Sequence, residues 1–168
     1  TQHDFPAAAS GGGGLYVVWT SFHNEANLIY MAERDGGGWK THRVSAEWGD
    51  YYGNAVAVDG AGAAHVVWSE YRDNRWMLVS RRYDPASGDW DQVRPVAAAR
   101  GRNERQLFPV MTTDADGHPW VGWQGFGDGK FDVWAARWTG ERWSEPVRVS
   151  ESGANDWAPT LAAAPDGS

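Results

Sequence analysis

Aromatic rings stand beside carboxylates and amides at several points of the 168-residue chain, and this combination of side chains suits sugar binding. A flat ring covers the apolar face of a sugar, while carboxylate and amide groups form directional hydrogen bonds with its hydroxyls. An alternative is that Tyr52 and Trp157 only pack between structural elements, because burial is the usual role of aromatic rings. The residues that we predict to bind a ligand are Asp50, Tyr51, Tyr52, Glu70, Tyr71, Arg72, Arg105, Gln106, Asp128, Asp156 and Trp157.

Patterns for catalysis and metal binding are weaker. The chain has no cysteine, its five histidines lack a His-x-His or HExxH spacing, and it contains no Gly-x-Ser-x-Gly sequence. The turn Asp114-Ala115-Asp116-Gly117 is acidic like a calcium loop but offers too few oxygen ligands, and an ordinary strand turn explains it equally well. We therefore predict no catalytic residue, no metal site and no cofactor.

A cluster of arginines, Arg100, Arg102 and Arg105, lies beside Glu104. Guanidinium groups bind carboxylates in a bidentate manner, so such a cluster could hold an acidic sugar. These arginines are close neighbours in sequence, however, and a solvated loop of mixed charge is the simpler interpretation.

The elements that must position these residues recur with a period of about 50 residues. Trp19, Trp68 and Trp123 lie 49 and 55 residues apart, and a second tryptophan series follows with spacings of 51 and 53. Each repeat contains short runs rich in Val, Trp, Tyr and Phe, bounded by Gly, Asp and Pro. Such runs predict β-strands. They fall at 5–10, 15–20, 28–34 and 39–44 in the first repeat, at 54–59, 64–69, 76–83 and 90–96 in the second, and at 108–113, 120–124, 131–138 and 143–149 in the third.

Four antiparallel strands in each repeat are typical of a β-propeller blade. We predict an all-β fold, a β-propeller segment with three four-stranded antiparallel blades at 1–50, 51–104 and 105–156, and the first strand of a fourth blade at 157–168. A β-sandwich is the main alternative, but it does not require a shared repeat length. In a propeller, the links between blades and the turns between second and third strands lie on one face, where we expect the candidate binding residues to meet.

Motifs of the third repeat also carry a family resemblance. The resemblance rests on Pro109…Asp116-Gly117…Trp120-Val121-Gly122-Trp123, Gly129-Lys130-Phe131-Asp132-Val133 and Gly140-Glu141-Arg142-Trp143…Val149-Ser150. With these motifs, the chain resembles secreted bacterial β-propellers of the sialidase-like and TolB-like kind. The resemblance implies a propeller architecture and an extracellular or periplasmic location. A sialidase-like mechanism would need arginines from different blades and a Tyr–Glu pair, and the sequence at 35–39 lacks the Ser and Thr of an Asp-box.

Charge and composition limit the partners that we expect. A net charge of −7 disfavours nucleic-acid binding, which needs a basic surface, and no apolar run approaches the roughly 20 residues of a membrane span. A three-blade arc would leave a bare sheet face at each end, so we expect self-association or the remainder of a longer propeller. The favoured function is a non-catalytic module that binds a glycan or a protein through loops at one face. One alternative is part of a propeller glycosidase or polysaccharide lyase with catalytic groups elsewhere, and another is a protein whose function is ring assembly.

Overall fold

The computed structural model describes residues 2–24, 26–98 and 104–164, and the regular elements in this part are β-strands. Among those residues, no helix is long or apolar enough to cross a membrane. Blade 1 is a sheet in which each strand pairs antiparallel with the next along the chain. Its strands are β1 (Gln2–Gly11), β2 (Gly14–His23), β3 (Ala26–Asp35) and β4 (Gly38–Arg43).

Blades 2 and 3 repeat this arrangement. Blade 2 contains β5 (Tyr51–Val58), β6 (Ala64–Arg72), β7 (Arg75–Asp84) and an outer edge in two pieces, β8 (Asp89–Trp90) and β9 (Arg94–Ala97). Blade 3 contains β10 (Arg105–Thr113), β11 (Pro119–Gly127), β12 (Lys130–Arg137) and β13 (Val147–Arg148). Among the described strands, a single parallel bridge from Arg105 to Trp76 links the two blades, and the other pairings are antiparallel. The predicted four-stranded antiparallel blades are therefore confirmed.

The outer strands are shorter than the sequence predicts. We expected continuous strands at 90–96 and 143–149, whereas the edge of blade 2 is interrupted and that of blade 3 comprises two strand residues and one isolated bridge. Pro95 and Pro146 fall within these two segments. Because proline has no backbone N–H to donate, it weakens a strand ladder and is found mainly at sheet edges.

Each inner strand begins with a backbone irregularity that recurs from blade to blade. The register of β1, β5 and β10 shifts near this point. The shift includes one residue with positive φ, which is Phe5 at 55°, Gly53 at 66° and Phe108 at 55°. Both phenylalanines precede a proline, whose fixed φ continues the strand after the bulge.

The segment after blade 3 starts in the same way. Ala158 has a φ of 53° and also precedes a proline, and Leu161 packs so closely over Gly122 of β11 that a Cβ there would lie 3.1 Å from it. Residues 157–164 form no assigned strand, and 165–168 lie outside the described residues. Their pairing within a further blade stays a prediction, as do the blade boundaries.

In the described part of the chain, the hydrophobic core comprises two buried clusters that lie between neighbouring blades. Successive residues of a strand face opposite sides of a sheet. Accordingly, Val66 and Trp68 of β6 pack against blade 1, while Val67 between them packs against blade 3. The inner strands β1, β5 and β10 contact one another in that order. Blades stacked face to face with their inner strands side by side form the arrangement of a propeller.

The sheets have two distinct ends. At one end, Tyr51 at the start of β5 pairs with Glu70 near the end of β6, which brings the blade links next to the turns between second and third strands. We call this end the loop face, and its described segments are 44–50, 149–157, 23–24, 72–75 and 127–130.

Candidate functional site

A cavity of about 350 Å³ opens on the loop face between blades 1 and 2, and we call it the blade 1–2 pocket. The last residues of β6 form one wall, and the link from β4 to β5 forms another. Its size falls within the range of small-molecule sites. The lining residues are Ala46, Glu47, Trp48, Gly49, Tyr51, Trp68, Glu70, Tyr71, Arg72 and Val93.

The polar groups of this pocket lie on one face of β6. Trp68, Glu70 and Arg72 alternate along the strand and therefore point to the same side of the sheet. Glu70 is buried, with 5% of its surface exposed, and its carboxylate forms an ion pair with the Arg72 guanidinium. Burial, followed by the negative charge of Glu70, raises the pKa of Tyr51, so this phenol keeps its proton at neutral pH.

The indole of Trp68 carries an unpaired donor. Trp68 is 1% exposed, and its buried Nε1 has no hydrogen-bond partner among the residues that the structure describes. In blade 3 the equivalent Trp123 donates from Nε1 to Gln106 Oε1 at 2.6 Å. Tyr51 takes the place of that glutamine in blade 2, and its hydroxyl donates instead to the backbone oxygen of Glu47 at 2.9 Å. The same indole position is thus satisfied in blade 3 and unsatisfied in blade 2.

A second cavity, of about 510 Å³, lies between blades 2 and 3 and has different chemistry. Gly125 stands where β6 has Glu70, and an added Cβ would lie 2.8 Å from both Gln106 Oε1 and a carbon of the Trp134 ring. Gln106 and Asp128 line this cavity. At this position, blade 3 therefore has no counterpart of the Glu70 carboxylate.

A cluster of half-exposed rings lies beside the first pocket, and we call it the Tyr52 cluster. Tyr52 is 40% exposed, and its ring centre lies 5.0 Å from that of Phe5, 5.1 Å from Phe108 and 6.2 Å from Trp76. The ring centre of Trp76 lies 5.3 Å from that of Tyr71, which is among the residues that line the blade 1–2 pocket. Aromatic surface thus extends from the inner strands to that pocket.

The predicted binding residues divide over three places on the loop face. Those at the blade 1–2 pocket and the Tyr52 cluster are Asp50, Tyr51, Tyr52, Glu70, Tyr71 and Arg72, with the Asp50 backbone oxygen accepting from Tyr71 N–H at 2.9 Å. Those at the start of β10 and the second cavity are Arg105, Gln106 and Asp128. Those after blade 3 are Asp156 and Trp157.

The third group lies apart from both cavities. Trp157 is 61% exposed and its ring centre lies 5.8 Å from that of Phe131, while Asp156 accepts a hydrogen bond from Ser152 at 2.7 Å. The sequence-based prediction missed Trp48 and Trp68 of the blade 1–2 pocket. Trp48 is half exposed two residues before Asp50, and Trp68 was recognised only as a mark of the repeat.

One tyrosine–carboxylate contact lies between blades 1 and 2. The hydroxyl of Tyr83 donates to Glu33 Oε2 at 2.8 Å, the tyrosine–carboxylate contact that a sialidase-like mechanism would require. Tyr83 is 1% exposed, however, and burial together with this hydrogen bond raises the pKa of its phenol. The pair is a contact between blades 1 and 2 rather than an activated group. Of the arginine cluster, Arg100 and Arg102 lie outside the described residues.

The acidic turn at 114–118 brings potential metal ligands together. One ligand atom from each of Asp114, Asp116 and His118 lies within 4.8 Å of the others. The Asp114 carboxylate already accepts the backbone N–H groups of Asp116 and His118 and the Nε1–H of Trp120. Its oxygens therefore stabilise the turn.

Comparison with known proteins supports the fold. No family model matches the chain, and no curated protein matches it. Among solved structures, a Penicillium chrysogenum α-L-arabinanase complexed with arabinobiose has a TM-score of 0.65 at 15% identity, covering 85% of this chain and 47% of that one. The endo-arabinase of Bacteroides thetaiotaomicron gives 0.57 at 13% identity, with coverages of 88% and 63%. A PL25 ulvan lyase gives 0.58 at 11%, with coverages of 89% and 44%.

These likenesses confirm that the chain is a β-propeller segment of all-β architecture. The chain spans about half the length of these three solved structures, from 44% to 63%. The structures similar to it include proteins that process glycans.

Proposed function

We propose that this chain is a non-catalytic propeller module that binds a glycan through its loop face, at the blade 1–2 pocket and the Tyr52 cluster. The observation that carries the proposal is the content of the pocket: a buried carboxylate, that of Glu70, paired with the Arg72 guanidinium on one face of β6. Trp48 and Tyr71, which are 50% and 40% exposed, are among the residues that line it. Directional polar groups beside flat apolar rings match the alternating hydroxyl and C–H surfaces of a sugar.

The enzymatic alternative has less support. The arabinanases and the lyase among the similar structures act on polysaccharides by name, but an identity of 11–15% conveys the fold alone. The buried and protonated Tyr83 offers no nucleophile, and the Glu70–Arg72 pair neutralises the carboxylate in the pocket. We expect no turnover when arabinan or ulvan is incubated with the chain, and product formation would overturn the non-catalytic assignment.

A glycan array tests binding most directly. The wild-type chain is compared with the variants Tyr52→Ala, Tyr71→Ala and Trp157→Ala, each of which removes a ring exposed by 40–61% on the loop face. We expect at least about tenfold weaker binding for Tyr71→Ala and Tyr52→Ala, because buried aromatic anchors dominate most binding surfaces. The effect of Trp157→Ala shows whether the separate third group takes part.

The matched control is Trp39→Ala. Trp39 is 52% exposed at the start of β4, beside the turn between third and fourth strands and at the opposite end of blade 1 from the loop face. It should leave binding unchanged. Equal losses for Trp39→Ala and Tyr71→Ala, or no glycan bound by the wild type, would refute the proposal.

The proposal extends to location and assembly. We propose an extracellular or periplasmic location, where free glycans are available, and this agrees with the absence of cysteine without depending on it. We also propose that further blades, from a second copy or from a longer chain, cover the outward faces of blades 1 and 3. Val147 and Val149 at the outer edge of blade 3 are 63% and 61% exposed, which supports such contact. A protein ligand in place of a glycan would bind the same loop face.

A further inference from the structure

We propose that a further cavity, between the inner strands, binds an apolar and uncharged substituent of the glycan, such as an acyl, alkyl or aryl group. The cavity has a volume of about 350 Å³, and we call it the inner-strand pocket. Phe5, Gly53 and Phe108, from the starts of the three inner strands, line it together with Ala158 of the segment after blade 3. The inference rests on the proposed function, because it names a chemical feature of the ligand that the loop face binds.

The backbone at this pocket is strained in a way that the fold does not require. Phe5, Phe108 and Ala158 have φ angles of 55°, 55° and 53°, a region that is costly for a residue with a Cβ and exceptional for a bulky one. Gly53 has the same conformation, with a φ of 66°, in blade 2. The fold therefore needs this backbone conformation at the start of an inner strand, but it does not need a phenylalanine ring there.

The strained residues of other types converge on this one cavity. In the described part of the chain, the remaining non-glycine residues with positive φ are Asn24, Asp73, Asn74 and Asp128. Asn and Asp tolerate this conformation because their short polar side chains hydrogen-bond locally. Strain that persists without such relief is frequent at ligand-binding sites, where it fixes the position of a side chain. At the inner-strand pocket, it holds two partly exposed rings in place.

The lining of the pocket is apolar and uncharged. Besides the residues with positive φ, the described residues that line it are two prolines, one valine, Asn54 and Gln124. The two amide residues are each 6% exposed. The Asn54 amide nitrogen donates to Thr20 Oγ1 at 2.9 Å, and Gln124 Oε1 accepts from the backbone N–H of Ala158 at 3.1 Å. A sugar hydroxyl would lose its bonds to water here with little in return, whereas an apolar group gains from leaving water.

The pocket is continuous with the proposed glycan site. The ring centres of Phe5 and Phe108, which line the pocket, lie 5.0 and 5.1 Å from that of Tyr52. Tyr52 is 40% exposed and belongs to the cluster on which we place the glycan. A sugar held at Tyr52 therefore has the pocket within reach of a short substituent. The volume of the pocket lies at the lower end of small-molecule sites and suits a group of about one ring.

An uncharged dye tests the pocket without depending on any glycan. N-phenyl-1-naphthylamine fluoresces more strongly in apolar sites and is titrated into the chain and into Ala158→Asp and Ala158→Asn. Both substitutions suit the positive φ of this exposed residue, so the fold should be kept. We expect Ala158→Asp to bind the dye at least about tenfold more weakly, because its carboxylate loses water when an apolar group packs against it. The uncharged Ala158→Asn should differ from the wild type by less than about threefold.

A second pair of variants tests the role of the strained rings. Phe108→Gly removes a wall of the pocket and places at this position the residue type that blade 2 has in Gly53. It should weaken dye binding about tenfold. The control is Phe22→Ala, which removes the same side chain from the loop end of β2, where it is 43% exposed and does not line the pocket. Dye binding by this control should be unchanged.

Simple glycosides then connect the pocket with the sugar. Phenyl and methyl glycosides of glucose, galactose, arabinose and rhamnose are titrated by calorimetry. For any sugar that binds, the phenyl glycoside should bind about tenfold more tightly than the methyl glycoside, because its ring leaves water in the pocket. Ala158→Asp should remove most of this difference and leave the affinity for the methyl glycoside unchanged.

The outcomes separate this inference from the proposed function. If the chain binds glycans on an array, but Ala158→Asp binds the dye and the phenyl glycoside as well as the wild type does, the inference is wrong and the proposed function stands. If the dye binds as expected and neither a glycan nor a glycoside is bound, the proposed function fails and with it the assignment of the substituent to a glycan. Loss of dye binding as the chain self-associates would show that the pocket is an interface between copies, and the inference would be wrong.

Discussion

Asp59, at the turn between β5 and β6, holds one end of blade 2 together through its carboxylate. Oδ1 accepts the backbone N–H groups of Ala61 and Ala63 at 3.0 and 2.9 Å, and Oδ2 accepts from His65 Nε2 at 2.9 Å and Arg82 Nε at 3.3 Å. The side chain is 10% exposed. Burial alone would raise the pKa of Asp59, but the hydrogen bonds from His65, Ala63 and Arg82 hold it well below its ordinary value.

The substitution Asp59→Asn tests this arrangement. The amide oxygen keeps the two backbone hydrogen bonds, while its NH₂ group replaces the acceptor that His65 and Arg82 use. Hydrogen bonds to charged groups contribute about 1.5–3 kcal/mol, so we expect the free energy of unfolding to fall by about 2 kcal/mol at pH 7. For a domain of this size, that corresponds to a melting temperature about 4–8 °C lower.

The destabilisation caused by Asp59→Asn should also depend on pH. Because the pKa of Asp59 is lower in the folded than in the unfolded chain, its stabilisation is complete above the unfolded value of about 3.9. It is lost as the pH falls through the folded value. The difference between wild type and Asp59→Asn, measured by urea unfolding, should therefore be full at pH 7 and shrink progressively below about pH 4.

Asp116→Asn is the control, since Asp116 is an exposed carboxylate in the equivalent turn of blade 3. It should change the free energy of unfolding by less than about 0.5 kcal/mol. A difference between Asp59→Asn and wild type that persists unchanged to pH 3, or one no larger than that of the control, would refute the reasoning.

Three further predictions concern contacts within and beyond the blades. Tyr83→Phe removes the donor to Glu33 and should lower the free energy of unfolding by about 1 kcal/mol in urea titration, whereas no change would contradict a contribution from this contact. Gly117→Ala and Gly129→Ala both place a side chain at positive φ. The Cβ of the first would lie 2.6 Å from a facing backbone atom, whereas that of the second meets open space. Thermal melting should show a loss of about 1–2 kcal/mol in the free energy of unfolding for Gly129→Ala, and a clearly larger loss for Gly117→Ala. Sedimentation of the 168-residue chain should show association that Val149→Lys weakens, and a monomer at all concentrations would contradict this.

Much of the fold follows from local sequence signals. The apolar run at 15–20 lies within β2, and the run at 76–83 lies within β7. Two local signals were sufficient for these predictions: the alternation of side chains between the two faces of a strand, and the glycines of the turns. Both act over a few residues. The strands extend further toward the loop face than predicted, for example to His23 in β2, since polar residues there continue the ladder through backbone hydrogen bonds that do not depend on side-chain type.

The candidate site was predictable only in part. Glu70, Tyr71 and Arg72 were selected by their types and by their place at the end of a strand, and the structure gathers them at one pocket. The sequence could not show that Trp68 lacks an acceptor, because this depends on where the Tyr51 hydroxyl points. Pockets between blades arise from the approach of two sheets, and no local pattern encodes that distance.

The repeats share the residues that the fold requires and differ where a ligand could be recognised. Two residues after the tryptophan that recurs in the second strand of each blade, the residues are Ser21, Glu70 and Gly125. In blade 3 a side chain at that position would collide both with Gln106, the residue that pairs the indole there, and with the Trp134 ring. In blade 2, Tyr51 stands in place of Gln106, and Val79, the cross-strand partner of Trp68, stands in place of Trp134. Room for the Glu70 carboxylate therefore depends on both neighbouring strands of the blade, and not on one exchange.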